Sequence, residues 1–315
     1  MSGYLVTGGG GFIGSNLVEA LVERGERVRV LDDFSTGKRE NLAPWLDRVE
    51  LIEGSITDPE ICQNACTDMS FVLHQAALPS VPKSMQMPLE TNAANVVGTL
   101  NLLVAARDQK VSRLVYAASS SAYGDTPTLP KVETMPGAPK SPYAVQKYTG
   151  ELYCRVFTES FGLETVALRY FNIFGPRQDP KSKYSAVIPK FVAACLRDEA
   201  PTIHGDGSTS RDFTFIENVV SANLLACVAP SAAAGRVMNV ACGERITLNE
   251  LAAVVRDKVG RGKPPRHGPE RPGDVAHSLA DISLAESLIG YVPKVRFAEG
   301  IARTIDYYAA LGSQI

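Results

Sequence analysis

Residues 4–14 read YLVTGGGGFIG and residues 27–33 read RVRVLDD, and these two stretches decide the fold. Tyr4-Leu5-Val6-Thr7 is a short apolar and β-branched run of the kind that fills a strand buried on both faces. Phe12 to Arg24 then repeats apolar residues at helical spacing, with Ile13, Leu17 and Leu21 on one stripe, and Gly25 supplies a left-handed stop. Arg27 to Leu31 returns to strand. The first turn carries glycines at 8, 11 and 14. Glycine lets the backbone approach a pyrophosphate, and a helix N-terminus offers it unpaired N–H groups and a favourable dipole. Asp32, at the end of the second strand, is placed to accept from both hydroxyls of a ribose, and its charge would repel a 2′-phosphate. A dinucleotide site taking NAD rather than NADP is the expectation. The lesser alternative for Asp32 and Asp33 is a solvated turn.

The strand–helix alternation continues outward from that unit. VELIEG at 49–54, FVLHQA at 71–76, RLVYAAS at 113–119 and TVALRYFN at 165–172 read as strands, with helical stretches near 91–107 and 143–161. Strands buried on both faces and joined by helices predict an α/β fold with a doubly wound parallel sheet of the Rossmann type. After Asn172 the texture changes, with Pro176, Pro180, Pro189 and Pro201 and a glycine-rich turn at 205–207, before a helix at about 217–229 and a strand MNVAC at 238–242. Residues 1–172 with about 214–242 are therefore expected to bind the dinucleotide. About 173–213 and 243–315 are expected to form a smaller, discontinuous substrate-binding lobe.

Composition narrows the class. The 315 residues suggest about two domains, and 45% hydrophobic with 21% charged residues is a folded rather than a disordered composition. With 32 Lys plus Arg against 34 Asp plus Glu, the net charge of -2 gives no footprint for nucleic acid or an anionic membrane. No basic leader opens the sequence, and no uncharged apolar run approaches about 18 residues, so a cytoplasmic protein is expected. The six cysteines contain no CxxC pair. Cys62 and Cys66 stand at i and i+4, but with few histidines and none at metal-ligand spacing the better reading is reduced, packed thiols and no metal. His74, after a buried strand, reads as a packed, hydrogen-bonded histidine.

The second constellation is Tyr143-Ala144-Val145-Gln146-Lys147, opened by Ser141-Pro142. Residues four apart share a helix face. A cation beside a phenol favours the phenolate, which lowers its pKa toward the range a general base needs. The strand before it ends in Ser119-Ser120-Ser121, whose hydroxyls can share a proton with the phenol and a substrate oxygen.

With these residues in place the chain resembles the extended short-chain dehydrogenases, and among them the nucleotide-sugar 4-epimerases, over nearly its whole length. The matching stretches are TGGGGFIG at 7–14, DDFSTG at 32–37, HQAA at 74–77, SSSAYG at 119–124, YAVQK at 143–147, RYFNIFGP at 169–176, RDF at 211–213 and RPGDVAHS at 271–278. The resemblance implies Tyr143 as the base, Lys147 holding both Tyr143 and the nicotinamide ribose, and Ser119 bridging substrate and tyrosine. It further implies a cofactor site of Gly8, Gly11, Phe12, Ile13, Gly14, Asp32, Asp33, Phe34, Ser35, Gly37, Ser55, Ile56, Gln75, Ala76, Ala77, Asn95 and Tyr170. On the substrate side it implies Ser121, Asn172, Gln178, Ala186, Val187 and Ser278, with Arg211 and Arg271 on the phosphates and Asp274 on the uridine ribose. Two guanidiniums suit a diphosphate taken out of water.

Related 4,6-dehydratases carry an Asp-Glu pair after the first hydroxyl, and uronate decarboxylases tend to carry a glutamate where Ser121 stands; here the residues are Ser120 and Ser121. A hydroxyl cannot replace a carboxylate as proton acceptor near pH 7. Reversible inversion at C4 through a transient 4-keto sugar, with NAD held throughout, is therefore favoured over a dehydratase, a UDP-glucuronate 4-epimerase or decarboxylase, and a non-catalytic NAD sensor, which would lose the Tyr–Lys pair. A tyrosine four positions after the GD aspartate restricts relatives to plain hexoses. Ser278 at that position leaves room for a 2-acetamido group, so UDP-GlcNAc and UDP-GalNAc are expected, with UDP-glucose and UDP-galactose also accepted. Pro79 and Ser55 depart from the family pattern. Apolar residues on more than one face of 91–107 and 143–161 suggest a homodimer built on a four-helix contact.

Overall fold

The computed structural model describes residues 2–180, 186–270 and 276–312. Arg271 and Asp274 lie outside the described residues. The central sheet consists of β1 (Gly3–Thr7), β2 (Arg27–Asp32), β3 (Val49–Glu53), β4 (Phe71–His74), β5 (Arg113–Ser119), β6 (Glu164–Tyr170) and β7 (Arg236–Val240). Their order across the sheet is β7-β6-β5-β4-β1-β2-β3, every neighbouring pair parallel. The expected doubly wound parallel sheet is what forms. The direction in which successive strands are added reverses between β1 and β4, and the crevice beyond the carboxyl ends of the strands at that switch point is where such sheets take their ligand.

The strands read as continuous apolar runs because helices cover both faces. On one face Val6, Val30, Leu73 and Val115 pack with Leu17, Val18 and Leu21 of the helix Phe12–Glu23. On the other, Leu5, Leu31, Val72 and Leu114 pack with Leu102, Leu103 and Ala106 of the helix Gly98–Asp108. All six cysteines are unpaired and buried. His74 is buried between two hydroxyls, Thr7 Oγ1 at 2.8 Å and Thr99 Oγ1 at 3.0 Å, and burial, then the nearby Lys147 charge, pulls its pKa down to about 3. It is the packed histidine expected.

Several element boundaries differ from the sequence reading. β4 ends at His74 and β6 at Tyr170, so Gln75 and Asn172 lie in the loops beyond the sheet edge. The stretch 91–107 is not one helix. A turn of π-helix at Ala93–Val97 separates Pro88–Asn92 from Gly98–Asp108, and such bulges recur at functional sites. The extra residue places the buried Asn95 under the loop after β4, where its Oδ1 accepts from Leu78 N at 2.7 Å and its Nδ2 donates to Gln146 Oε1 at 2.8 Å.

The region after Asn172 builds helices Val187–Leu196, Leu248–Val259, Ser283–Ile289 and Phe297–Leu311 on short strand pairs, Ser210–Arg211 with Ile246–Thr247 among them. Asp212 holds this part together. Its carboxylate is buried and accepts from the backbone N–H groups of Cys242 at 3.0 Å, Gly243 at 3.1 Å and Ala280 at 3.2 Å. Among the described residues no helix is long and apolar enough to cross a membrane.

Candidate active site

A cleft of about 930 Å³ runs along the carboxyl edge of the sheet. The glycine turn forms its floor, and the conformation needs glycine at two positions in particular. Gly8 has φ +69°, and a Cβ there would sit 2.7 Å from Ala76 N; one on Gly14 would sit 2.0 Å from the Gly8 carbonyl oxygen. Asp32 closes the adjacent wall. Its Oδ2 accepts from Gly10 N at 2.8 Å and its Oδ1 from Phe34 N at 2.8 Å. Burial raises its pKa, with those two N–H groups and Arg39 opposing burial and Asp33 adding to it. Each carboxylate oxygen keeps a second lone pair for a ribose hydroxyl.

The cleft is lined by Gly8, Gly11, Phe12, Ile13, Gly14, Asp32, Asp33, Ser35, Gly37, Ser55, Ile56, Gln75, Ala76, Ala77, Tyr143, Lys147 and Tyr170, and by Gln178 and Ala186 from the second region. Two of the expected cofactor residues do not line it. Phe34, at φ +54°, packs beside the glycine turn, where a Cβ on Gly10 would meet its ring at 2.8 Å, and carries the Arg39 guanidinium 4.2 Å from its centroid. Asn95 supports the wall from behind. Asp33 takes the turn its neighbours suggested, accepting from Ser35 N at 2.9 Å and Ser35 Oγ at 2.6 Å. Ser55 accepts from Thr57 Oγ1 at 2.9 Å, and Tyr170 Oη accepts from Asn223 Nδ2 at 2.8 Å and Gln75 Nε2 at 3.2 Å.

At the far end β5 delivers Ser119 and the helix Pro142–Phe161 delivers Tyr143 and Lys147. That helix starts where Ser141 Oγ accepts from Ala144 N at 3.2 Å, with Pro142 at its first position. Gly150 lets it approach the sheet, because a Cβ there would lie 2.3 Å from Tyr116 Oη. Ser119 Oγ accepts from Ser121 N at 3.2 Å and from Ser121 Oγ at 2.8 Å.

One electrostatic expectation needs correcting. The i, i+4 spacing predicts that Lys147 lowers the Tyr143 phenol, but burial pushes the phenol above its ordinary value and only the Ser119 hydroxyl draws it back. Lys147 instead donates to the Ala117 carbonyl at 2.8 Å, and burial pulls its own pKa down to about 8. A buried ammonium committed to a carbonyl is a positional anchor more than an acidifier.

The remaining substrate-side residues are dispersed over the second region. Asn172, at φ +37°, donates from Nδ2 to the Asp212 carbonyl and to Ser278 Oγ, both at 3.0 Å. Val187 opens its helix, and like Ser119, Ser121, Asn172, Arg211 and Ser278 it does not line the cleft. Arg211 Nη1 donates to the Ser210 carbonyl at 3.0 Å and the Ala276 carbonyl at 3.1 Å. Gln178 Nε2 donates to the Ile173 carbonyl at 3.1 Å, while its buried Oε1 has no partner among the described residues, an acceptor left for a ligand donor. Asp179 also lines the cleft, as do Lys38, Asn41 and Lys83, which were not foreseen. Lys38, directly after the STG turn, could have been flagged as a cation beside a phosphate site; it pairs with Asp179 at 2.8 Å. Asn41, whose Nδ2 donates to the Gly10 carbonyl at 2.9 Å, carries no sequence signal.

A glycine cradle with no room for Cβ atoms, a carboxylate at the end of β2 and an orphaned Gln178 acceptor fit a bound dinucleotide, and Tyr143 and Lys147 line its far end with Ser119 beside Tyr143. This defines the class, a dinucleotide-dependent enzyme of the extended short-chain dehydrogenase type. A model of the NAD dependent epimerase/dehydratase family matches residues 4–241. A UDP-glucose 4-epimerase of Mycolicibacterium smegmatis is 37% identical over 308 residues, 96% of this chain and 97% of its own. Among solved structures, UDP-N-acetylglucosamine 4-epimerase from Methanobrevibacter ruminantium in complex with UDP-N-acetylmuramic acid superposes with a TM-score of 0.94 at 40% identity, covering 98% of this chain and 99% of the other. Thermus thermophilus UDP-glucose 4-epimerase in complex with NAD gives 0.89 at 36% identity, covering 99% of each chain. The chain belongs to the NAD-dependent epimerase/dehydratase family; it is an enzyme, and NAD is its cofactor.

Proposed function

We propose that this enzyme reversibly inverts C4 of UDP-hexoses, interconverting UDP-GlcNAc with UDP-GalNAc and also UDP-glucose with UDP-galactose. The observation that carries the reading is Tyr143 and Lys147 lining one end of the cleft, with the Ser119 hydroxyl beside the Tyr143 phenol and hydroxyls, not carboxylates, at 120 and 121. Elimination of water across C5 and C6 needs an extra acid and base that these positions do not supply.

Tyr143 takes the proton of the C4 hydroxyl, with the Ser119 hydroxyl bridging phenol and substrate oxygen, and C4 becomes a ketone as its hydride leaves. Bound NAD would supply the hydride acceptor and donor for C4. Lys147 anchors the ribose side of the site from its hold on the Ala117 carbonyl. Arg211, Arg271 and Asp274 clamp the diphosphate and uridine while the sugar turns about its phosphate linkage and presents the opposite face of C4. Tyr143 then returns the proton as the hydride comes back, so atoms and electrons balance with no net oxidation. Asp32 favours NAD over NADP by repelling a 2′-phosphate.

Residues 1–172 with about 214–242 serve as the NAD-binding unit, and about 173–213 with 243–315 as the UDP-sugar lobe; the pairing of β7 with β6 supports that division. Acceptance of 2-acetamido sugars is supported by the small Ser278 and by the 40% identical relative that is a UDP-GlcNAc 4-epimerase. Six unpaired, buried thiols suit a reducing compartment, the cytoplasm. Val145, Leu152 and Val156, exposed by 49%, 40% and 42% along one side of the helix Pro142–Phe161, support pairing of two copies through a four-helix contact.

The test is a panel of UDP-hexoses incubated with the enzyme and no added cofactor, beside Tyr143→Phe, which keeps the ring and loses the acid–base oxygen. Interconversion by the parent enzyme and a fall of about 10²-fold or more in turnover with NAD still bound are expected. Near-normal turnover in the variant rejects the assignment.

A further inference from the structure

One buried charged pair close to the site has no part in the chemistry described above. Glu151 lies one helical turn beyond Lys147, and both its oxygens are taken by Arg169 of β6, Nε to Oε1 at 2.9 Å and Nη2 to Oε2 at 2.7 Å. The two side chains are only 2% and 4% exposed. The Arg169 guanidinium stacks over the Tyr123 ring, 4.5 Å from its centroid, and Tyr123 Oη donates to Asn239 Oδ1 of β7 at 2.7 Å. Tyr123 ends the short turn that begins beside Ser119. A continuous buried chain thus runs from the helix bearing Tyr143 and Lys147, through β6, to the turn bearing Ser119.

We propose that Glu151, held by Arg169, is a positioning residue for the reaction: it locks the Tyr143–Lys147 helix against the Ser119 turn and sets a carboxylate one helical turn from Lys147. This rests on the assignment of Ser119, Tyr143 and Lys147 made above. A buried ion pair is weak evidence for stability, since a well-packed apolar pair of similar volume is often as good, so a role in holding the site accounts for it better. The groups around Lys147 leave little else to support its charge. On its own helix stand Tyr143, Glu151 and Cys154; β5 presents the Tyr116 ring 5.0 Å from Nζ, and β4 presents His74, kept neutral by burial. Burial pulls the ammonium down, and Cys154 and Glu151 hold it up, while the Cys154 thiol is itself pushed far above its ordinary value by burial and stays neutral. Glu151, whose own pKa burial raises while Arg169 draws it back, is then the carboxylate on that helix that supports the ammonium.

Glu151→Gln keeps the shape and removes the charge, leaving Arg169 as an added cation near Lys147. The expected result is a kcat lower by about tenfold or more, since small misplacements of reacting groups are costly, with KM for the UDP-sugar within about threefold and the basic limb of the kcat–pH profile moved to lower pH. A stranded guanidinium can also unfold the chain, so the pair Glu151→Met with Arg169→Met is made as well. It removes both charges together and should fold, retain NAD and still show the loss in kcat. A lower Tm with wild-type kcat and an unmoved basic limb, in whichever variant folds, overturns the proposal. Tyr143→Phe run in parallel separates the two readings. If it keeps activity, the site assignment fails and the inference with it; if it is inactive while the Glu151 variants are normal, the inference alone fails.

Discussion

Asn172, in the segment just beyond β6, donates from Nδ2 to Ser278 Oγ at 3.0 Å, and the same hydroxyl accepts from Asp212 N at 3.2 Å. Two residues 106 positions apart are thereby fixed to each other and to the buried Asp212, whose carboxylate holds the backbone at Cys242-Gly243 and at Ala280. A serine at 278 does two things at once: it is small, and it closes this junction.

Replacing Ser278 with tyrosine removes the junction and adds a ring. If Ser278 faces the sugar, that ring stands where a 2-acetamido group must pass, and overpacking a filled site costs about 1–3 kcal/mol. Since about 1.4 kcal/mol is tenfold, the ratio of kcat/KM for UDP-GlcNAc to UDP-glucose should fall by roughly ten- to a hundredfold in Ser278→Tyr. Loss of the Asn172 and Asp212 contacts lowers both terms together and leaves the ratio unaffected. An unchanged ratio removes Ser278 from the pocket wall.

Much of this was legible because it depends on local rules. Glycines at 8, 11 and 14 between a strand and a helix, and an aspartate closing the second strand, are positions where the backbone itself demands the residue. What escaped depends on long-range geometry. An apolar period cannot reveal the extra residue at Ala93–Val97, because one added position rotates the face without breaking the pattern. Phe34 sits inside the DDFSTG match, yet its ring supports the glycine turn and does not line the cleft. The i, i+4 rule put Tyr143 and Lys147 on one face but said nothing of the Ala117 carbonyl, which takes the ammonium, or of the burial that raises the phenol. The Glu151–Arg169 pair joins two elements whose contact no spacing announces.

Val145, Leu152 and Val156 lie along one side of the helix Pro142–Phe161 and are 40–49% exposed, and covering the exposed part of such side chains is favourable by about 1 kcal/mol each. Pairing with a second copy covers them. Leu152→Glu combined with Val156→Glu puts two carboxylates into that contact, and light scattering at micromolar concentration should then report half the mass of the parent enzyme. A doubly substituted protein that scatters as the parent does means the copies associate elsewhere or the parent is itself monomeric.

His74 ties stability to pH in a direction that can be worked out. In the folded chain its pKa is pulled from 6.5 to about 3, so between those values the unfolded chain binds a proton that the folded chain does not. Stability therefore rises with pH across that window and is lost as pH falls below about 6.5, by up to about 1.4 kcal/mol per unit. Asp212 works the other way. Burial raises its pKa to about 6, so the folded chain binds the extra proton and stability falls as pH rises through the range from the ordinary carboxylate value to about 6. The two effects overlap near pH 5, and the wild-type curve alone cannot separate them. His74→Gln retains a hydrogen-bonding side chain between Thr7 and Thr99 and cannot be protonated in this range, while Asp212 is the same in both proteins and cancels in their difference. Urea unfolding at pH 7 and pH 5 should show wild type losing about 2 kcal/mol more than His74→Gln over that interval, and equal losses would mean that His74 is already charged in the folded protein or that its burial is relieved before unfolding.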